Sequence, residues 1–284
     1  MCLILNHINQ PCQSQLNKRL NVGFTLIEVI VVMTIVGVLA VGISLLIRNP
    51  AQSFIDSQNN ADLTDRADTA LRRIARDIAG ALPNSVRVTN TGTDQFIEFV
   101  PVVAAGRYRA ATGISVLDDP LDFTLAADTF DVLGPSVSVS AGDKLVIYNL
   151  GIAGASAYEG SNIRTLVAPF GNVNKLGFAG GQFPQASPTS RFQVVNNAVT
   201  YACDMSNGLL LRYSYAIQST QPNTIGALNA LATPSRVASN MSRCDVAYGN
   251  GALLRNGLLT LHLSFNQSVA LVSLVNQVAV VNSP

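Results

Sequence analysis

Glu28 is the single ionisable side chain in the apolar run Phe24–Ile47, and it follows a glycine and an aromatic in Gly23-Phe24-Thr25-Leu26-Ile27-Glu28. A carboxylate held in hydrocarbon costs roughly 2.5–3.5 kcal/mol on insertion scales, which makes it a functional candidate by default. The plainer alternative is snorkelling from the end of the segment to the interface. Gly23 leaves the backbone bare for a protease that must approach a scissile bond closely, or it is an ordinary helix-start glycine. The arrangement is costly for a plain anchor and suits a segment that is cut and then polymerised.

Elsewhere the chemistry is sparse. Cys203 and Cys244 form an even pair in the region expected to be exported and read as a disulfide, with two free buried thiols as the alternative. Closing their roughly 40-residue loop contributes about 4 kcal/mol in the chain-entropy model, less any strain. Asp118, Asp119, Asp122, Asp128 and Asp131 are hard oxygen donors, but their spacing lacks the order of a calcium loop. They read as solvated loop residues, and no metal and no cofactor is expected. His262 alternates with Thr260 and Ser264 on the polar side of a strand, and a lone histidine is a poor basis for a triad. Gly-x-Ser-x-Gly, phosphate-loop and Cys-x-x-Cys motifs do not occur. The expectation is a protein that is not an enzyme.

These residues need elements to hold them. Residues 1–23 are polar for most of their length and end in Lys18-Arg19 and then Gly23. A secretory signal places its cut site after the apolar run, whereas here it comes before, so cleavage would leave the run on the protein. Twenty-four helical residues reach roughly 36 Å, enough to cross a hydrocarbon core of about 30 Å. Lys18 and Arg19 favour a cytoplasmic N-terminus. Gly37 and Gly42 would let helices approach closely in lipid, or are ordinary membrane-helix glycines. Arg48-Asn49-Pro50 marks a kink or boundary. Beyond it Leu63, Ala67, Leu71, Ile74, Ile78 and Leu82 recur at helical spacing, with Asp68–Arg72 and Arg73–Asp77 as i,i+4 pairs on the other face. Gly80 and Pro83 end the helix.

After Pro83 the texture turns to β. Strands are expected at 85–89, 95–102, 144–149, 163–167, 208–216, 258–265 and 269–281, with 192–195 and 198–202 as a hairpin around Asn196-Asn197. Leu259, Leu261, Leu263 and Phe265 alternate strictly, the mark of a strand with one buried side. Residues 151–160, 180–190 and 218–240 read as loops. Charged residues make up only 12% and the net charge is +1, which excludes a disordered chain and gives no footprint for nucleic acid.

With its order of basic residues, glycine, carboxylate, apolar run and amphipathic continuation, the chain resembles type IV pilin-like proteins. A narrower likeness lies in Arg73-Ile74-Ala75-Arg76-Asp77-Ile78, in Ala81–Val88, in Gly142–Asn149 and in Tyr201-Ala202-Cys203-Asp204. These segments resemble the larger minor prepilins of mannose-sensitive haemagglutinin (MSHA) pilus systems, the O-type biogenesis prepilins in particular. The resemblance implies cutting after Gly23 by a prepilin peptidase and N-methylation of Phe24. It also implies that Glu28 neutralises the Phe24 α-amine of a neighbouring subunit.

The expected fold class is thus α+β and pilin-like, a long helix packed on an antiparallel β domain. The expected parts are a cytoplasmic leader at 1–23, a transmembrane helix at 24–47, an amphipathic continuation at 48–82 and an exported β domain at 83–284. The chain would sit in the inner membrane, N-terminus inside and β domain in the periplasm, and enter a pilus with other pilins and minor pilins. Its bulk suits priming or the tip. A minor pseudopilin of a type II secretion system is the near alternative, and a membrane-anchored adhesin or surface enzyme the distant one. Many major pilins carry a proline within the membrane helix; here the first proline after Gly23 is Pro50.

Overall fold

The computed structural model describes residues 23–115, 117–249, 256–267 and 270–284, with the backbone alone for 45–51. The expected leader, with Cys2, Cys12, Lys18 and Arg19, lies almost wholly outside the described residues. The chain divides into two compact units, Met1–Phe54 and Ile55–Pro284.

Helix α1 is Leu26–Ala79. Pro50 lies inside it, so the boundary expected there is not a helix end. Thr25 starts the helix: its hydroxyl accepts from the Glu28 amide at 3.4 Å and its carbonyl accepts from the Glu28 and Val29 amides at 3.1 and 3.2 Å. In the first unit the side chains from Phe24 to Ser44 are all exposed. Leu26–Ser44 has a mean hydropathy of 2.8 and is long and apolar enough to cross a membrane. In water that surface would be untenable, and lipid or other helices are the media that suit it.

The second unit contains strands β1 (Arg87–Asn90), β2 (Gln95–Phe99), β3 (Val102–Tyr108), β4 (Ala127–Leu133), β5 (Val137–Val139), β6 (Lys144–Val146), β7 (Ile163–Val167) and β8 (Gly171–Val173). They are followed by β9 (Lys175–Ala179), β10 (Arg191–Val195), β11 (Asn197–Asp204), β12 (Leu209–Ala216), α2 (Ile225–Leu231), β13 (Ser235–Ala238), β14 (Met241–Gly249), β15 (Asn256–Gln267) and β16 (Ala270–Val281). One sheet runs β1-β2-β11-β12-β13, a second runs β14-β15-β16, and β10-β3-β4-β9-β7-β6 close into a barrel, with β5-β8 as a small ribbon. Every pairing is antiparallel.

The barrel is an insertion. Its first and last strands, β3 and β10, leave and rejoin the chain between β2 and β11, which are neighbours in the five-stranded sheet. Phe130, Phe178 and Phe192 fill its interior with Tyr108 and Leu145, all at most 1% exposed. The apolar stripe of α1 forms a separate core: Leu63, Ala67, Leu71, Ile74 and Ile78 pack against Ile97, Phe99 and Tyr201 of one sheet and Leu259, Leu261, Leu263 and Phe265 of the other. Helix and sheets are therefore both packed as the periodicity predicts, and the fold class is α+β with antiparallel sheets. The opposite face of the five-stranded sheet is covered too, by Leu82, Val146 and Leu228 among others.

Several expectations need correction. The hairpin at Asn196-Asn197 does not form: β10 pairs with β3 and β6, and β11 with β2 and β12. Both strands are buried on both faces, so alternation could not reveal their partners. Nor do these asparagines take positive φ, which among the described non-glycine residues occurs at Asn84, Tyr148, Ser190 and Asn240. The expected loop 218–240 holds α2, capped by Thr224, whose hydroxyl accepts from the Ala227 amide at 3.1 Å, and β13. The acidic stretch is a solvated loop only in part: Asp122 stays exposed outside the strands, and the others are tied into the structure. Asp128 and Asp131 belong to β4, Arg109 bridges Asp118 and Asp131 at 3.2 and 3.0 Å, and Lys175 meets Asp119 at 2.7 Å. Of the two expected helix pairs, Asp68–Arg72 forms at 2.5 Å. Asp77 turns away from Arg73 to Arg212 of β12.

Candidate functional site

Thr25 caps α1 and thereby fixes Glu28 in the first helical turn, where a carboxylate also meets the positive end of the helix dipole. The sequence Thr25-x-x-Glu28 has the spacing of a capping box, a signal that the reading for membrane chemistry passed over. Phe24 and Glu28 line one shallow groove with Val29, Val32 and Met33, about 250 Å³ in volume. Aromatic ring and carboxylate therefore share one face of the exposed apolar helix. Gly23 precedes the helix, and nothing lies within 4 Å of where a Cβ would stand. Among the described residues nothing buries this head, an exposed apolar rod with one charge on it. Gly37 and Gly42 are likewise unhindered.

The cysteines are joined. Cys203 of β11 and Cys244 of β14 form a disulfide with Cα atoms 6.4 Å apart. It ties the five-stranded sheet to the three-stranded one, with α1 packed on both, and both cysteines are buried. Where the helix leaves that core, Asp77 accepts from the Tyr201 hydroxyl at 2.8 Å and from Arg212 Nε at 3.0 Å. The neighbouring carboxylate and burial together hold the Tyr201 hydroxyl well above the usual phenol range, burial being the larger cause.

One further cluster brings together residues that sequence reading kept apart. His262 Nε2 lies 2.7 Å from Ser273 Oγ, and its Nδ1 lies 3.6 Å from Asp245 Oδ2. The order serine, histidine, aspartate resembles a nucleophile with its base and orienter. Its chemistry is incomplete. The Nδ1 distance exceeds a hydrogen bond, Arg243 occupies the Asp245 carboxylate at 2.5 Å, and Ser264 donates to the Ser273 hydroxyl at 2.9 Å. This is a polar network on a sheet face. Among the described residues, no group of three or more His, Cys, Asp or Glu side chains is placed to hold a metal ion.

A family model for the prokaryotic N-terminal methylation motif matches residues 23–44, so the head of the chain is type IV pilin-like. No curated protein and no solved structure matches the chain.

Proposed function

We propose that the chain is a minor pilin, a structural subunit of an MSHA-type type IV pilus that primes assembly or sits at the tip. A prepilin peptidase cuts after Gly23 and the new N-terminus at Phe24 is methylated. Residues 24–47 then anchor the subunit in the inner membrane, 48–82 continue as the amphipathic helix, and 83–284 are exported. The observation that carries this reading is the methylation motif at the head of an exposed apolar helix whose first turn holds Glu28. In a fibre, Glu28 meets the Phe24 α-amine of a neighbouring subunit, which gives an otherwise costly charge its partner. A buried disulfide suits the oxidising compartment the topology implies. The inserted barrel adds bulk that a fibre end accommodates more easily than a shaft, and the segments quoted above give the MSHA likeness.

The test is co-purification of the mature protein with its partner pilins, with mass spectrometry of its N-terminus. Methylated Phe24 and co-purifying MSHA-type minor pilins are expected; partners from a secretion system would move the assignment to a pseudopilin. Glu28→Gln and Glu28→Val separate charge from capping, because glutamine keeps the capping-box geometry. Both are expected to insert in the membrane and to fail in incorporation. Normal incorporation of Glu28→Gln would show that Glu28 acts only as a helix-cap residue.

A further inference from the structure

Sheet edges in this protein are treated unequally. The edges of the five-stranded sheet, β1 and β13, are four residues long and carry Arg87 and Arg236. The β14 edge is broken by a register shift near Met241 and Arg243, carries Arg243 and Asp245, and donates its Val246 amide to the Gln95 side chain at 2.6 Å. Short length, charge, bulges and side-chain cover are the means by which an edge is kept from pairing with another chain. Among the described residues, the remaining edge of that sheet, β16, shows none of them. Its twelve residues contain no charge, proline or glycine, and its register with β15 is unbroken from Ala270 to Val281. Residues 256–284 contain no Asp, Glu, Lys or Arg at all. Leu271, Val275 and Val281 are 67%, 64% and 56% exposed.

The strand is also complementary to itself. Set antiparallel to a second copy about Asn276, it places Leu271 opposite Val281, Val272 opposite Val280, Ser273 opposite Ala279 and Leu274 opposite Val278. Asn276 then faces its own counterpart, amide to amide. Side chains keep their faces in this register, so apolar residues meet on both sides of the sheet and no charge is opposed or buried. A partner strand carrying charges would bury them unpaired against this edge. We propose that the outer edge of β16 is an interaction surface whose occupant is β16 of a second copy of this chain. The two three-stranded sheets become one six-stranded sheet, and the free amides and carbonyls of both edges find partners. The proposal does not depend on the pilin reading, since it concerns the β domain alone.

Single-cysteine crosslinking of the full chain in membranes tests it, in a background carrying Cys2→Ser and Cys12→Ser, with copper-phenanthroline oxidation. In the proposed register the two Asn276 positions stand directly opposite, about 4.5–5.5 Å between Cα atoms, within disulfide reach. The two Ala279 positions are six residues out of register, roughly 20 Å apart, and beyond it. Asn276→Cys is expected to give a disulfide-linked homodimer and Ala279→Cys only background. Adding Val275→Lys, a charge at an exposed edge position, is expected to remove the Asn276→Cys dimer while Cys203–Cys244 stays intact. Equal yields at both positions, a dimer indifferent to Val275→Lys, a crosslink only to a chain of different mass, or no dimer at all would each overturn the proposal.

Discussion

Asp77 of the long helix and Arg212 of β12 form an ion pair at 3.0 Å, with both side chains 26% exposed. Tyr201 completes the contact from the adjacent strand. This is the polar tether between the helix and the sheet it packs on. Asp68 and Arg72, one side chain half exposed and the other largely so, form the contrasting solvent pair on the same helix. Asp77→Ala is expected to cost about 1–3 kcal/mol, because it strands a half-buried guanidinium and a buried hydroxyl. Asp68→Ala is expected to cost at most about 0.5 kcal/mol. Urea unfolding of the two variants side by side decides it, and equal costs would mean the tether is decorative.

The disulfide closes a separation of 41 residues. Cys203→Ala with Cys244→Ala is expected to lower stability by about 4 kcal/mol in the chain-entropy account, seen as a fall in Tm under non-reducing conditions. Reductant should bring the wild type down to the variant and leave the variant unmoved.

Gly106 lies opposite Phe192 in the barrel, and a Cβ there would stand 2.7 Å from the phenyl ring. The glycine is required by this close approach. Gly106→Ala is expected to destabilise by about 1–3 kcal/mol through overpacking. A combined Gly106→Ala, Phe192→Leu variant should recover part of the loss, measured again by urea unfolding.

Two carboxylates respond to pH in opposite senses. The Lys175 ammonium beside Asp119, with a hydrogen bond from Thr129, lowers the aspartate below its ordinary 3.8, while the aspartate raises Lys175 above its ordinary 10.5. The lowered acid contributes stability that is present above 3.8 and lost as pH falls through its folded value. The raised base contributes stability that is full below 10.5 and lost as pH rises past it. Glu98 differs: burial pushes it above 4.5, against a smaller pull from Arg87 at 2.9 Å. It binds its proton more tightly folded than unfolded, so its share of stability falls as pH rises from 4.5 through the raised value. Glu98→Gln is therefore expected to flatten the stability profile just above pH 4.5. Lys175→Met should flatten it at both the acid and alkaline ends. Unfolding free energies across pH 3–11 read both slopes.

Much of this architecture was legible because burial here follows simple periods. The stripe from Leu63 to Ile78 and the alternation from Leu259 to Phe265 face one core and were readable from spacing alone; Leu82, in step with the stripe, lies past the helix end in the core on the other side of the five-stranded sheet. What spacing could not show was partnership. β10 and β11 are adjacent in sequence and buried on both faces, so nothing local says that one belongs to a barrel and the other to a sheet. Asp118, Asp119 and Asp131 read as solvated because their cations, Arg109 and Lys175, are distant in sequence. At the head, the carboxylate in an apolar run was visible from composition. Its capping partner Thr25 was hidden by the same apolar context that drew attention to Glu28.

The barrel's two ends meet: Val102 and Val195 are register partners in β3 and β10. A chain excursion between β2 and β11 would ordinarily impose a loop-closure cost that grows with its length, but a folded barrel delivers both strands to the sheet already side by side. The insertion is nevertheless more than a cassette on two stems: Val146 and Ala157 complete the core on one face of the five-stranded sheet, Asn149 donates to the Pro83 carbonyl at 2.6 Å and the Tyr158 hydroxyl to the Ser85 carbonyl at 2.8 Å. Replacing 103–194 with a short Gly-Ser turn is therefore expected to keep the chain ends joined but to bare that sheet face, lowering stability in urea unfolding. The inserted part thus serves the sheet as a lid as well as being carried by it, and a substitute module would have to bring its own apolar face.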